Sequence, residues 1–262
     1  MPEGDNYQTR KAFFDRMLTV YGRKAALEAL RDPRLACHAL RLAETNRPGG
    51  IVAEIVAAAR ARDLPVARHS RAELARISKN GKQDQGVALD ILCPGFSSLA
   101  DYLLTLGERS SQRLLSLDGI TNPQNLGMII RSACAGRIDG IIWTRRGNAA
   151  LGPLVIKASA GTVYRAPLLL GNSAAEAIGQ CKDAGMEVCV WAADAGQTLF
   201  EHRPDGHCFY VLGNETEGVS GEITRLADRA LAIPMENGVE SLNVAVTASL
   251  IAYAGQLAGR QD

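Results

Sequence analysis

At 262 residues, with 47% apolar, 22% charged and 5% aromatic side chains, the chain is long enough for one large or two ordinary domains. The apolar content excludes a disordered chain, and 26 Gly with 10 Pro exclude a fibrous one. The net charge of +1 averages two unlike parts: residues 1–95 hold 16 Lys/Arg against 11 Asp/Glu (+5), and residues 96–262 hold 13 against 17 (−4).

The opening MPEGDNYQTRK is charged and lacks an apolar stretch before a cleavage site, so no secretory signal and a cytoplasmic location are expected. Tyr7–Leu18 and Arg23–Leu30 read as helices, and Leu35–Leu42 as a strand. Gly49-Gly50 precede a helical Ile51–Arg62, followed by a short strand Leu64–Ala67 and a short helix Arg71–Ile77. The strand-like GVALDIL run then ends in Cys93-Pro94-Gly95, where turn residues mark a boundary. Residues 1–95 therefore read as a small α/β domain and residues 96–262 as a second.

In the second domain, predicted strands at Arg113–Leu117, Gly140–Thr144, Val163–Leu168, Glu187–Ala192, Cys208–Leu212 and Ala230–Ile233 alternate with helices. The helices are Asn125–Ala135, Leu154–Ala158, Ser173–Ala184, Glu222–Leu226 and Leu242–Leu257. Such alternation predicts an α/β fold with a mainly parallel sheet covered on both faces. The uncharged run from Ser241 to Gly259 contains Asn243, Thr247, Ser249 and Gln256, which suits a buried helix better than a membrane span.

Cysteines at 37, 93, 134, 181, 189 and 208 show no CxxC or paired spacing, and the four histidines form no HExxH. Buried reduced thiols and no metal are expected. Ligands in a parallel sheet collect beyond the carboxyl ends of its strands, and three polar clusters lie there. After Leu117 comes DGITNPQNLGMIIR, where Asp118-Gly119 and Asn122-Pro123 make a turn, Pro123 can open a helix and Gly127 permits close backbone approach. After Leu212 comes GNETEGVSGE, whose Gly213 allows a tight turn and whose Glu215 and Glu217 precede a helix. After Ile233 comes PMENGVESLNVAV, with Ser241 as an expected N-cap and Asn243 as an amide that needs partners if buried. GxGxxG and GxxxxGK[ST] are both absent, which argues against a dehydrogenase or a kinase.

Taken together, NPQNLGMIIR, LGNETEGVS and IPMENGVESLNVAV resemble the three motifs of the SpoU (TrmH-like) RNA 2′-O-ribose methyltransferases of the SPOUT class. The SASAGTVYRAPL run resembles the family's segment between the first two motifs, and the likeness covers roughly residues 112–258. YGRKAALEAL and DQGVALDIL more loosely resemble the small substrate-binding domain that precedes many family catalytic domains. Ala245 departs from a more usual serine, and Cys134-Ala135-Gly136-Arg137 from small apolar or aromatic residues.

The resemblance implies a homodimer whose C-terminal chain forms a deep trefoil knot. It implies S-adenosylmethionine held largely by main-chain groups at Leu212, Gly213, Ile233, Met235 and Leu242, without a metal. By the same resemblance Arg131 contacts the acceptor as the proposed base, with Asn125, Glu215, Ser241 and Asn243 positioning it and the substrate. The implied partner is structured RNA, ribosomal before transfer RNA, with no DNA or membrane. Twelve of the 16 N-terminal cations are arginine, whose fork suits phosphate, although a solvated surface has the same charge. A non-catalytic RNA-binding member of the fold is the alternative. Ala245, Ala248, Ala252 and Ala254 would let a second helix approach closely, from a partner subunit or from the chain's own core.

Overall fold

The computed structural model describes residues 3–192, 194–214 and 218–257. The chain divides into two units, one running to Pro94 and including Leu151–Pro153, the other formed by the remainder.

The first unit contains α1 (Glu3–Asp15), β1 (Met17–Tyr21), α2 (Arg23–Arg31), β2 (Ala36–Ala43), α3 (Gly50–Arg60), β3 (Val66–His69), α4 (Arg71–Ser78) and β4 (Val87–Leu92). Its four-stranded sheet has the order β1-β4-β2-β3, antiparallel except between β2 and β3. The expected helix over Tyr7–Leu18 stops at Asp15. Met17–Tyr21 is instead a strand that turns Leu18 and Val20 inward and pairs from Met17↔Leu92 to Tyr21↔Ala88. Thr19, Val20 and Tyr21 suit a pleated surface, and this pairing overrides the helical periodicity before them. The GVALDIL strand is central, and its buried Asp90 accepts from Arg41 Nε at 2.6 Å and Thr19 Oγ1 at 2.7 Å. A carboxylate survives in that core because both oxygens are hydrogen-bonded.

The second unit opens with β5 (Ser97–Ser98) and α5 (Leu99–Leu104), neither anticipated from the sequence, and a 3-10 turn at Leu106–Glu108. It continues with β6 (Arg113–Leu117), α6 (Pro123–Ala135), β7 (Gly140–Thr144), α7 (Pro153–Ala158), β8 (Leu168–Gly171) and α8 (Ala174–Asp183). It ends with β9 (Glu187–Trp191), β10 (Cys208–Leu212), α9 (Gly221–Leu226), β11 (Arg229–Leu231) and α10 (Val244–Leu257). The seven strands run in the order β11-β9-β10-β6-β7-β8-β5, and every pairing is parallel.

One predicted strand is displaced. Val163–Leu168 is not a strand: Thr162–Arg165 forms a 3-10 turn after Gly161 at φ 76°, and the strand begins at Leu168. Pro167 has no N–H to give the ladder, so it contributes only its carbonyl, which accepts from Ile141 N at 2.8 Å.

Alternation along the strands separates two apolar layers. Leu114, Ile142, Leu169, Val188, Val190, Phe209 and Val211 pack with Leu99, Ile178 and Ile223 of α5, α8 and α9. On the other face, α10 packs along α6, burying Ala245, Ala248, Ile251 and Ala252. A Cβ on Gly136 would lie 2.5 Å from that of Ala252, and Ser249 Oγ donates to Ser132 Oγ at 2.8 Å. The alanines at 245, 248 and 252 thus serve the chain's own core. No helix among the described residues is long and apolar enough to cross a membrane.

Candidate active site

The polar clusters follow β6, β10 and β11, at the carboxyl end of the parallel sheet. Asp118 N donates to Leu212 O at 2.8 Å, and Asp118 Oδ2 accepts from Ser220 N at 3.4 Å, tying the first cluster to the second. A Cβ on Gly213 would collide with the main chain of Gly218 and Val219. The loop therefore closes on itself only because residue 213 has no side chain.

Beside these loops lies a cavity of about 480 Å³, a size suited to a small-molecule cofactor. Leu212, Gly213, Ile233, Met235 and Leu242 all line it, together with Ser241. Asn214, Val219, Leu231, Val244 and Thr247 complete much of the wall, and Glu240 places a carboxylate there. Trp191 and Ala192, from the end of β9, form a further side not anticipated from the sequence. The Trp191 ring stacks on Tyr210 at 6.3 Å, and its buried Nε1 has no hydrogen-bond partner among the described residues. No sequence signal set it apart: Trp191 ends β9, and only the pairing of β9 with β10 brings it beside Gly213.

Asn122 caps α6, accepting from Gln124 N at 2.8 Å, and Pro123 occupies the first turn. This places Asn125 inside the helix, buried, whereas Arg131 is exposed. Six residues turn an α-helix through about 600°, so the two side chains leave on different faces. Arg131 makes no ion pair with any described residue.

The expected N-cap of the last helix is corrected. The helix begins at Val244, and Asn243 caps it, with Oδ1 accepting from Ala245 N at 2.9 Å and its carbonyl from Val246 N at 2.9 Å. Its other amide atom, Nδ2, donates to Asn125 Oδ1 at 3.4 Å, joining the first and third clusters. Ser241 lies two residues outside the cap, exposed on the cavity wall. Glu215 lies outside the described residues.

Two family models match this chain: the SpoU rRNA Methylase family over residues 112–253, and RNA 2'-O ribose methyltransferase substrate binding over residues 19–92. A tRNA/rRNA methyltransferase of Mycolicibacterium vanbaalenii, itself uncharacterized, is 30% identical over 88% of this chain and 74% of its own length. The fold is shared with an AdoMet-bound rRNA methyltransferase from Sinorhizobium meliloti, with TM-score 0.63 and 20% identity over 97% of this chain and 90% of that one. It is shared equally with the SpoU methyltransferase AviRb from Streptomyces viridochromogenes, with TM-score 0.63 and 21% identity over 98% and 94%. With both of its regions matched and the polar clusters gathered at one end of the sheet, the chain belongs to the SpoU family of RNA methyltransferases.

Proposed function

We propose that this protein methylates a ribose 2′-hydroxyl in structured RNA with S-adenosylmethionine, ribosomal RNA before transfer RNA, as a cytoplasmic homodimer. The observation that carries the reading is the cavity walled by the loops after β9, β10 and β11, with Ser241 on its wall. The residues fit the cofactor. Leu212, Leu231, Ile233 and Leu242 offer apolar flanks for an adenine ring, and the unpartnered Trp191 Nε1 offers a donor. The side-chain-free edge at Gly213 lets main-chain groups do the holding, and Glu240 supplies negative charge for a cationic ligand.

S-adenosylmethionine supplies a methyl group on a sulfonium, whose departure as a neutral thioether needs no acid. The protein must align the acceptor and deal with its proton. Guanidinium groups hold their protons throughout the range of protein chemistry. Arg131, exposed and free of ion pairs with described residues, therefore orients an RNA phosphate and stabilises the developing alkoxide, and the proton leaves by way of water. The Asn125–Asn243 contact holds the start of α6 against the start of α10, and Ser241 faces the cavity; the positioning role of Glu215 rests on the family resemblance alone.

The net +5 of residues 1–95 supports an RNA grip by the first unit, and the match of residues 19–92 to the substrate-binding family points the same way. Exposed Val246 and Tyr253, seven residues apart on α10, with exposed Met128 on α6, support a subunit interface there. The free thiols fit a reducing compartment.

The test is methyl transfer from labelled S-adenosylmethionine to separate unmodified ribosomal and transfer RNA pools, followed by nuclease digestion and mass spectrometry. Label on a ribose of ribosomal RNA, absent with Arg131→Ala, is the expected result. Label on a base, or none from a protein that binds the cofactor, would overturn the reading.

A further inference from the structure

Two parallel strands place four chemistry-bearing side chains on one face of the sheet, away from the cavity loops. In the β9–β10 register, Cys208 sits opposite Glu187, and Tyr210 opposite Cys189. Glu187 and Cys189 share a face of β9, as Cys208 and Tyr210 do of β10, so these positions form a square patch. His202, on a turn that bonds back to Thr198, lies on that patch. The ligand-type atoms of Glu187, Cys189, His202 and Cys208 all lie within 4.8 Å of one another.

We propose that Glu187, Cys189, His202 and Cys208 form a structural site for a tetrahedral, thiolate-preferring divalent cation of the Zn²⁺ type. The Sγ atoms of Cys189 and Cys208 are 3.7 Å apart, and Cys189 Sγ is 4.0 Å from His202 Nε2 and 3.9 Å from Glu187 Oε2. His202 Nε2 and Glu187 Oε2 are separated by 2.9 Å. Bonds of about 2.3 Å to sulfur and about 2.0 Å to nitrogen or oxygen give tetrahedral edges of about 3.8, 3.5 and 3.3 Å. These edges are met within about 0.5 Å by each of the four distances.

The surroundings are those of a ligand set. In the metal-free chain His202 Nε2–H faces Glu187 Oε2 at 2.9 Å, and the Tyr210 hydroxyl, 3.3 Å from Nδ1, is placed to accept from Nδ1–H once Nε2 ligates. The second carboxylate oxygen of Glu187 accepts from Arg229 Nε at 2.6 Å. Both thiols are fully buried, and the His202 side chain is 2% exposed. Arg113 lies over the Tyr210 ring at 5.2 Å, buried, with Nε and Nη1 lacking partners. One divalent cation neutralises the two thiolates and leaves the Glu187 carboxylate to its Arg229 partner.

Binding forms two metal–sulfur bonds, one metal–nitrogen bond and one metal–oxygen bond, and sends both thiol protons to solvent with no change of oxidation state. The site would fasten the turn carrying His202 to β9 and β10, and it takes no part in methyl transfer.

The test uses the full chain, stripped with chelator under reductant, checked for retained fold by circular dichroism and titrated with Co²⁺. The expected result is one equivalent bound, with visible bands of a tetrahedral ion and thiolate-to-metal charge transfer, both abolished by Zn²⁺. Cys208→Ser should weaken the charge-transfer band about twofold, whereas Cys181→Ser, a buried thiol on the opposite face, should leave it unchanged. Wild type alone supplies a second readout: affinity should rise about 100-fold per pH unit while both thiols start protonated. A folded, reduced chain without these bands would overturn the proposal. So would bands indifferent to Cys208→Ser, or a Cys189–Cys208 disulfide in the chain as isolated.

Discussion

Gly127→Ala sets two physical effects against each other. Gly127 lies within α6, where alanine gains about 1 kcal/mol over glycine in an open helix. An added Cβ, however, would lie 2.5 Å from Ala158 Cβ, 2.7 Å from Val155 O and 2.9 Å from Ser159 N. Carbon atoms in contact prefer about 3.5–4.0 Å, so the overlap with Ala158 is about 1 Å or more. None of the three opposing atoms can swing away by changing a rotamer, so α6 and α7 must separate. Overpacking of this kind costs about 1–3 kcal/mol, and more when backbone must move. Because backbone must move here, the cost is about 2–3 kcal/mol, which outweighs the helical gain and leaves the variant about 1–2 kcal/mol less stable, a fall in Tm of roughly 2–8 °C. Gly179→Ala in α8 is the matched control, because a Cβ there meets nothing within 4 Å. Its helical gain stands unopposed, and its Tm should rise by about 1–4 °C. Thermal unfolding of both variants measures the difference in sign. A Gly127→Ala protein as stable as wild type would refute the close helix approach.

Asn243→Ala removes the cap of α10 and the partner of Asn125, and should cost about 1 kcal/mol by denaturant unfolding while lowering methyl transfer further than stability explains. Arg131→Lys keeps the charge but loses the planar fork, so turnover should fall at least tenfold at unchanged cofactor affinity; near-wild-type turnover would defeat the orienting role. Burial opposes ionisation of Asp228, but hydrogen bonds from Lys182 and Val188 N outweigh it and hold its pKa below 3.8. Its ionised form therefore contributes stability above the unfolded pKa, and that contribution disappears as pH falls through the lower folded value. Wild type should melt above Asp228→Asn at neutral pH, with the gap closing below about pH 3.8; a gap constant to pH 2 would contradict this assignment.

The strands over 113–117, 140–144 and 208–212 were legible to the residue, because each is an apolar run stopped by turn chemistry. Val163–Leu168 misled for the opposite reason. Its β-branched and aromatic residues suit a strand, but Pro167 delays the ladder to Leu168. Neither Ser97–Ser98 nor α5 after it gave a signal, one being too short and the other lacking a clear periodic stripe. At the site, local turn chemistry marked the three clusters, while the walls assigned to the cofactor rested on family resemblance. Trp191 escaped because a strand-end aromatic looks like any core residue until its neighbours are known. Cys189 and Cys208 are buried free thiols, as expected, but that they meet was not legible, because strand register and not a local motif brings them together.

The contacts joining α10 to the rest of the second unit span long stretches of sequence: 118 residues from Asn125 to Asn243, 117 from Ser132 to Ser249, and 138 from Arg113 to Ile251. Each closes a loop whose entropy must be lost before the contact rewards it, which makes assembly slow relative to helix-rich chains of similar size. During synthesis, β6 and α6 emerge well before the helix that completes them. The Asn125–Asn243 contact therefore forms late, after nearly all of the sheet has left the ribosome. Until then the face of α6 that packs on α10 and the buried Arg113 lack their cover, which leaves apolar surface open during that interval.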